Sequence, residues 1–236
     1  MEKIIHKAET RGHAVHGWLD AHHSFSFAGY YDPSRMHFGV LRVLNDDRIA
    51  PGMGFGMHPH DNMEIISIAL EGSLKHADNL GNEGVIRPND VQVMSAGTGV
   101  IHSEFNPSPK ETVNLLQIWV IPNKRGATPR YDQKTFDPAG RKNTFQVVVA
   151  PDDREGALWI NQDAWFSLGD LDKDKTLSYR SRLAGNGSYV FVISGSLDIG
   201  GQIVGSRDGL GLTDFEAADI KAVEDALFLI MDVPMK

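Results

Sequence analysis

Short runs of β-forming residues, broken every few positions by Gly, Pro, Asn or Asp, restrict the fold of this chain more than any other feature. The 236 residues include 24 glycines and 11 prolines, and long amphipathic helices are not evident. Many short strands with frequent turns are typical of an all-β sandwich or barrel. The expected strands are Phe38–Leu44, Glu64–Leu70, Ser73–Ala77, Val91–Met94, Val113–Ile121, Phe145–Val149, Leu158–Ile160, Tyr189–Ile193, Ser196–Ile199 and Leu227–Val233.

A loose internal repeat divides the chain in two. The segments Ile66–Asp78 and Val190–Gly201 each contain a β-run, the tripeptide Gly-Ser-Leu and a second β-run. Each half also ends in an apolar strand that a proline stops, at Pro122 and at Pro234. This pattern predicts two similar β-domains in tandem. We expect an N-terminal domain over residues 1–124, a Pro-, Gly- and charge-rich connector over 125–143 and a C-terminal domain over 144–236.

Two closely spaced pairs of metal-ligand residues stand about forty positions apart. They are His58-Pro59-His60 and His102-Ser103-Glu104. Because residues i and i+2 of a strand point to the same face, each pair can aim two donor side chains at one point. Three imidazoles and a carboxylate suit a divalent transition metal and leave coordination positions open for chemistry. None of the ten histidines lies beyond position 102, so imidazole chemistry belongs to the first half.

The identity of the carboxylate ligand stays open at this point. Glu64 shares strand parity with His58 and His60, so it is a candidate ligand, a partner that orients a histidine, or a buried acid. Either Glu64 or Glu104 completes a set of three histidines and one carboxylate. The remaining histidines of the region have no partner at ligand spacing and are expected to be structural or exposed; they include His22, His23, His37 and His76.

Charge and composition exclude several classes of function. The formal net charge is -8 and the isoelectric point about 5.6, which disfavours direct binding to nucleic acid or to an anionic membrane. Cysteine is absent, so disulfides, zinc–thiolate sites and thiol nucleophiles are excluded. The longest apolar run, Ala226–Met231, is too short to span a bilayer, and the first residues show no secretory signal. We therefore expect a cytoplasmic protein that does not bind a membrane.

The spacing of the ligand pairs resembles the two motifs of the cupin superfamily. Gly52, His58, His60 and Glu64 fit the first motif, in which a glycine, His-x-His and a glutamate follow one another at set distances, although the closing glycine, Gly72, comes one residue late. Three residues match the second motif: Gly99, His102 and Asn106. Its proline is missing, and Asn-Asp replaces its Gly-Asp.

These departures are themselves features of the pirin family, which the chain resembles densely from about position 10 to 125 and thinly to its end. Among pirins it is most similar to the bacterial quercetinase-like branch. The pirin-like segments, besides the two ligand pairs, are Arg11–His13, Ser24–Phe27, Tyr31–Pro33, Leu41–Asp47 and Met94–Gly99.

The resemblance implies a bicupin, that is, two tandem antiparallel β-barrels of the double-stranded β-helix type. It implies that the N-terminal barrel holds one divalent metal through His58, His60, His102 and Glu104, and this preference for Glu104 comes from the family. The C-terminal barrel is expected to be degenerate and metal-free. Iron(II) is the expected metal, with nickel, cobalt, manganese, copper and zinc as alternatives.

The resemblance implies two functions. The first is a dioxygenase of the quercetin 2,3-dioxygenase type, an oxidoreductase that opens the central ring of a flavonol with dioxygen and uses Glu104 as the catalytic base. Four aromatic residues are candidates for its pocket: Phe25, Phe27, Tyr30 and Tyr31. The second is a metal-binding pirin without turnover that regulates a protein partner.

Overall fold

The computed structural model describes residues 1–236 and contains 22 β-strands and two 3-10 helices, Ala8–Thr10 and Pro138–Arg141. The strands of the first half are β1 Glu2–His6, β2 Gly12–Val15, β3 Leu19–His23, β4 Leu41–Ile49, β5 Gly54–His60, β6 Glu64–Glu71, β7 Leu74–Asp78, β8 Glu83–Ile86, β9 Asp90–Ser95, β10 Val100–Phe105, β11 Val113–Val120 and β12 Arg130–Thr135. Those of the second half are β13 Phe145–Ala150, β14 Leu158–Trp159, β15 Trp165–Leu171, β16 Thr176–Arg180, β17 Asn186–Ser194, β18 Ser196–Ile199, β19 Gln202–Gly205, β20 Gly209–Thr213, β21 Ala217–Ala222 and β22 Ala226–Pro234.

The strands form two barrels, each built from a seven-stranded and a four-stranded sheet. The N-terminal sheets have the orders β12-β9-β6-β11-β4-β3-β2 and β5-β10-β7-β8. The C-terminal sheets have the orders β1-β20-β17-β22-β15-β13-β14 and β16-β21-β18-β19. This architecture confirms the predicted all-β bicupin fold. No helix in the structure combines the length and the apolar character that crossing a membrane requires, and the cytoplasmic location stays a prediction.

The Gly-Ser-Leu repeat marks the same corner in both barrels. Strand β6 leaves a seven-stranded sheet, turns at Gly72 and enters a four-stranded sheet as β7, and β17 does the same at Gly195 before β18. Both glycines have positive φ, 69° and 79°, a region that side chains with a Cβ rarely adopt. A Cβ on Gly195 would also lie 2.0 Å from the carbonyl oxygen of Asp225. The repeated Gly-Ser-Leu therefore reflects the same backbone requirement at both corners, a glycine with positive φ.

Two strands belong to sheets that the sequence did not predict for them. Strand β1 pairs with β20 of the C-terminal barrel, although residues 1–124 were expected to form the N-terminal domain. Strand β12, which falls in the expected connector 125–143, pairs with β9 and extends the N-terminal sheet. The division of the chain into two domains and a connector remains a proposal, and β1 and β12 are the two strands whose pairing departs from it.

The two seven-stranded sheets share the largest apolar core of the molecule, a cluster of 25 buried residues drawn from both barrels. Alternation along the strands explains how one sheet serves two environments. On β11, Leu116 and Ile118 belong to this shared core, whereas Leu115 and Gln117 line the interior of the N-terminal barrel.

The interiors of the two barrels differ in polarity. Fifteen buried apolar residues fill the C-terminal barrel, whereas the corresponding N-terminal cluster has eight. Histidines, carboxyl groups and amides occupy much of the remaining N-terminal interior, including His102, Glu104 and Gln117. The functional groups are thus concentrated in the first barrel.

Candidate metal centre

Strands β5 and β10 bring together the three histidines of the predicted ligand pairs. The strands are antiparallel, with His58 directly opposite His102, and His60 lies two residues from His58 on the same face. The ring centroids are separated by 4.9 Å for His58 and His60, 4.4 Å for His58 and His102, and 4.9 Å for His60 and His102. One ring nitrogen of each lies within 4.8 Å of the others. This spacing suits one transition metal, whose bonds to imidazole nitrogen are about 2.0–2.1 Å long.

Hydrogen bonding leaves a lone pair on His58 available for a metal. Its Nδ1 donates to the carbonyl oxygen of Gly56 at 2.8 Å, so Nε2 is the unprotonated nitrogen of the neutral ring. Gly56 lies where the register between β5 and β10 shifts, between the pairs His58–His102 and Phe55–Glu104. This local irregularity supplies the acceptor that fixes the tautomer.

A series of buried hydrogen-bonded groups also leaves a lone pair on His102 available for a metal. The Nε2 of His76 lies 3.4 Å from the Asp78 carboxylate, and Nδ1 of His76 lies 3.4 Å from Nδ1 of His102. Because the carboxylate accepts, the proton of His76 is on Nε2, and its Nδ1 accepts the proton of His102 Nδ1. Nε2 of His102 is then a bare lone pair, and this buried atom has no hydrogen-bond partner in the protein. An orphaned buried nitrogen of this kind fits a metal ligand.

Burial favours the neutral form of His60 and His102, which is the form that binds a metal. It lowers the pKa of His60 to about 4, with the neighbouring His58 acting in the same direction. It lowers the pKa of His102 to about 3, again with help from His58. Burial disfavours ionisation of Asp78 too, but hydrogen bonds from Asn82 and Leu80 hold its pKa below the usual range. Asp78, the last group of the hydrogen-bonded series, is therefore a carboxylate at neutral pH.

Glu104 lies beside His102 on the same strand and lines the same cavity as His58 and His60. One of its carboxylate oxygens lies within 4.8 Å of ring nitrogens of His102 and His76, and all three residues are buried. Glu104 is not part of the group that His58, His60 and His102 form. Gln117 Nε2 donates to Glu104 Oε2 at 3.3 Å. Burial raises the pKa of Glu104 to about 7, against the effect of its hydrogen bonds.

Glu64, the alternative carboxylate, is engaged elsewhere. Its Oε2 accepts from the Ser95 hydroxyl at 2.6 Å, and its Oε1 accepts from Nδ2 of Asn161 in the second half of the chain at 2.9 Å. It lies outside the histidine cavity because β5 ends at His60 and β6 begins a new sheet at Glu64. Asn62 between them has a positive φ of 45°. Strand parity does not carry across such a turn.

His58 and His60 line a cavity of about 180 Å³ with mainly apolar walls. Phe27, Phe55 and Trp119 are its aromatic residues, and Asp47 is a second acid in its wall. A second, larger cavity of about 620 Å³, the vestibule, shares Phe27, Phe55 and Asp47 with it and adds Tyr30. The vestibule alone exceeds the lower limit of about 300 Å³ for pockets that bind drug-sized ligands, whereas the histidine cavity alone does not.

The predicted pocket aromatics divide into three groups. Phe27 and Tyr30 line the cavity and the vestibule, respectively. Phe25 is buried in the core shared by the barrels, and Tyr31 is exposed. The segment that carries all four residues winds from the core to the surface, and only part of it faces the cavity.

Several residues near the site lie outside the sequence motifs. His76, expected to be structural or exposed, is fully buried and contacts His102. Gln117 and Trp119 alternate with the apolar residues Leu116 and Ile118 along β11. A polar residue in an otherwise apolar strand is a sequence signal that could have identified Gln117. Nothing in the local sequence identifies His76, because its partner belongs to another strand.

Two family models match the chain. The model described as Pirin matches residues 5–120, and the model described as Quercetinase C-terminal cupin domain matches residues 147–233. The chain belongs to the pirin family. This membership confirms the resemblance carried by the ligand pairs and the flanking segments.

Relatives cover almost the whole chain. A curated quercetin 2,3-dioxygenase of Escherichia coli (strain K12) is 45% identical over 230 residues, 98% of each chain. A pirin-like protein of Caulobacter vibrioides is 42% identical, covering 94% of this chain and 95% of its own. The crystal structure of the bacterial pirin YhhW from Escherichia coli in complex with nickel(II) has a TM-score of 0.94 at 43% identity, covering 99% of both chains. The chain is thus an oxidoreductase-like enzyme with a site suited to a single divalent metal.

Proposed function

We propose that this protein is a metal-dependent dioxygenase of the quercetin 2,3-dioxygenase type, which opens the central ring of a flavonol with dioxygen. The observation that carries the proposal is the convergence of three histidines, His58, His60 and His102, two of which (His58 and His60) line an aromatic-walled cavity. His58, His60, His102 and Glu104 would hold one divalent metal per chain. We take Fe(II) as the metal, with nickel, cobalt, manganese, copper or zinc as alternatives. The name of the E. coli relative supports the reaction type.

The residues of the cavity have separable roles. A bound divalent metal would supply Lewis acidity at a substrate oxygen. Glu104 accepts the proton of the flavonol 3-hydroxyl, and its pKa of about 7 suits a general base that works near neutral pH. Gln117 holds the Glu104 carboxylate in place through its amide. Phe27 and Trp119 offer flat apolar surfaces to an aromatic ligand.

Asp47 is a hydrogen-bond donor for the substrate in this scheme. Burial raises its pKa well above the usual range, and the neighbouring carboxyl groups of Asp46 and Glu104 act in the same direction. Its Oδ1 is buried without a hydrogen-bond partner in the protein. A protonated carboxyl group in the cavity wall can donate to an oxygen of a flavonol.

The first test combines elemental analysis with oxygen uptake and carbon monoxide release during incubation with quercetin. We expect one metal per chain and equal amounts of dioxygen consumed and carbon monoxide released. His58→Ala and His102→Ala should each abolish metal retention and turnover while leaving the fold intact. His37→Ala is the matched control, because this exposed histidine bonds only to the carbonyl oxygen of Gly39.

Free metal and buffer must be assayed separately, since flavonols bind metals and oxidise without an enzyme. If the protein is fully loaded with each of the six ions in turn and releases no carbon monoxide with any of them, the proposed reaction is contradicted. Unchanged metal content in both His58→Ala and His102→Ala would contradict the proposed site.

A second candidate function, regulation of a protein partner by the metal-bound form, is favoured by one surface feature. The outer face of β5 and β10, behind the metal ligands, exposes Met57, Ile101 and Phe105. Contiguous exposed apolar side chains are typical of interaction surfaces. If the metal-loaded protein shows no turnover, Ile101→Lys and Met57→Lys should weaken partner capture without changing metal content.

A further inference from the structure

A second group of potential metal ligands lies outside the candidate centre, on the hairpin of β2 and β3. His13 and His22 are directly opposite each other in this antiparallel pair. Asp20 lies two residues before His22, on the same face of β3. One ligand atom from each of the three lies within 4.8 Å of the other two. As in the inner site, the residues come from two neighbouring antiparallel strands and share one face, but the sequence motifs do not include them.

The three side chains are already arranged around a common point. A single oxygen of Asp20, Oδ1, lies 2.7 Å from Nε2 of His13 and 3.7 Å from Nδ1 of His22. The two imidazole rings are stacked, with centroids 4.3 Å apart and an angle of 16° between their planes. Burial, with Arg11 and His13 acting in the same direction, lowers the pKa of His22, which favours its neutral, metal-binding form.

The surroundings leave space for an ion. The side chains of His13, Asp20 and His22 are 50%, 46% and 33% exposed, so water can complete a coordination sphere. His13 also lines the vestibule, which shares wall residues with the inner cavity. Arg11 and Asp46, two further charged groups that act on His22, pair with each other at 3.2 Å, and Arg48 is directly opposite Asp20 on β4.

We propose that His13, Asp20 and His22 form a second binding site for a divalent transition metal at the rim of the vestibule. Two imidazoles and one carboxylate suit zinc, nickel or copper and do not suit magnesium or calcium, which prefer oxygen ligands. An ion at this site would cross-link β2, the edge strand of the sheet, to β3. The site does not depend on the proposed reaction.

The test adds Zn²⁺ to the protein as purified, with its inner metal in place, and counts every bound metal after desalting. We expect one further zinc per chain in the wild type and in His16→Ala. His16 is the control because it is an exposed histidine of the same hairpin outside the trio. In His22→Ala and Asp20→Asn, zinc affinity measured by calorimetry should fall at least about tenfold, since even groups that merely orient ligands contribute 10- to 100-fold. The inner metal should be retained in all variants.

NMR spectra of the wild type give a second readout that needs no variant. Zn²⁺ should shift the imidazole signals of His13 and His22 and leave that of His37 unchanged. No further zinc in the wild type, or equal zinc affinity in wild type and His22→Ala, would overturn the second site. Neither result would affect the inner centre, whose metal is counted independently.

Discussion

At the scale of single residues, the candidate centre depends on groups that fix proton positions as much as on the ligands. The carboxylate of Asp78 orients His76, and His76 in turn accepts from His102. Without this chain, His102 could carry its proton on Nε2 and present no lone pair to a metal. Groups that hold a ligand histidine in one tautomer usually contribute strongly to metal affinity.

His76→Phe should therefore weaken metal binding by about 10- to 100-fold while keeping the buried aromatic volume that packs on Tyr131. The measurement is a competition titration against a chelator. Tyr131→Phe is the matched control, because it removes only a hydroxyl that bonds to Gln133. Equal metal affinities for His76→Phe and the wild type would show that His76 has no role in orienting His102.

At the scale of elements, strand β1 joins the first residues of the chain to the C-terminal barrel. It adds an edge strand to the C-terminal sheet through β20, and at its last residue Nδ1 of His6 lies 2.9 Å from the hydroxyl oxygen of the buried Tyr189. Burial, with a contribution from Arg35, lowers the pKa of His6 to about 4. The docked strand therefore contains a buried neutral imidazole.

This imidazole makes the free energy of unfolding depend on pH. Below about pH 6.5 the unfolded chain binds a proton at His6 that the folded protein does not bind until about pH 4. Stability should therefore fall as pH decreases through this window, by up to about 1.4 kcal/mol per pH unit from this group. In His6→Gln, which keeps hydrogen-bonding capacity but does not titrate, that part of the slope should disappear.

Urea unfolding of both proteins at several pH values between 4 and 7 gives the difference in slope. Other buried histidines contribute equally to both proteins and cancel in the comparison. His37→Gln, at an exposed position, should retain the wild-type slope. Parallel pH profiles for wild type and His6→Gln would refute the assignment to His6.

At the scale of the whole molecule, the barrels are mutually dependent. The shared core contains Leu116 and Ile118 from one seven-stranded sheet and Phe166 and Phe191 from the other. Polar contacts also cross the boundary: Arg207 Nη1 lies 3.0 Å from Asp46 Oδ1, near the edge of the core. Burial of apolar surface on this scale dominates folding free energy, so neither barrel is expected to be stable alone.

A chain ending at residue 143 should retain the metal ligands and β12 but expose its half of the shared core. We expect it to aggregate on size-exclusion chromatography, whereas the full chain should be monodisperse and unfold in one calorimetric transition. A fragment that is soluble, monodisperse and as active as the full chain would show that the second barrel is dispensable.

The sequence by itself determined the fold class, the duplicated architecture and the three histidines that converge in the N-terminal barrel. These features depend on local rules: glycine at corners with positive φ, alternation along strands, and the equal parity of His58 and His60. Each rule acts over a few residues of one strand or turn. The family resemblance supplied the preference for Glu104 that parity could not.

Only the tertiary structure decided which distant groups meet. It placed Glu64 against Asn161 of the other barrel, joined His76 to His102 and docked β1 on the C-terminal sheet. It also set His13 beside Asp20 and His22. The physical reason is that such contacts depend on strand order and register between strands that are remote in sequence, and periodicity within a strand carries no information about its neighbour.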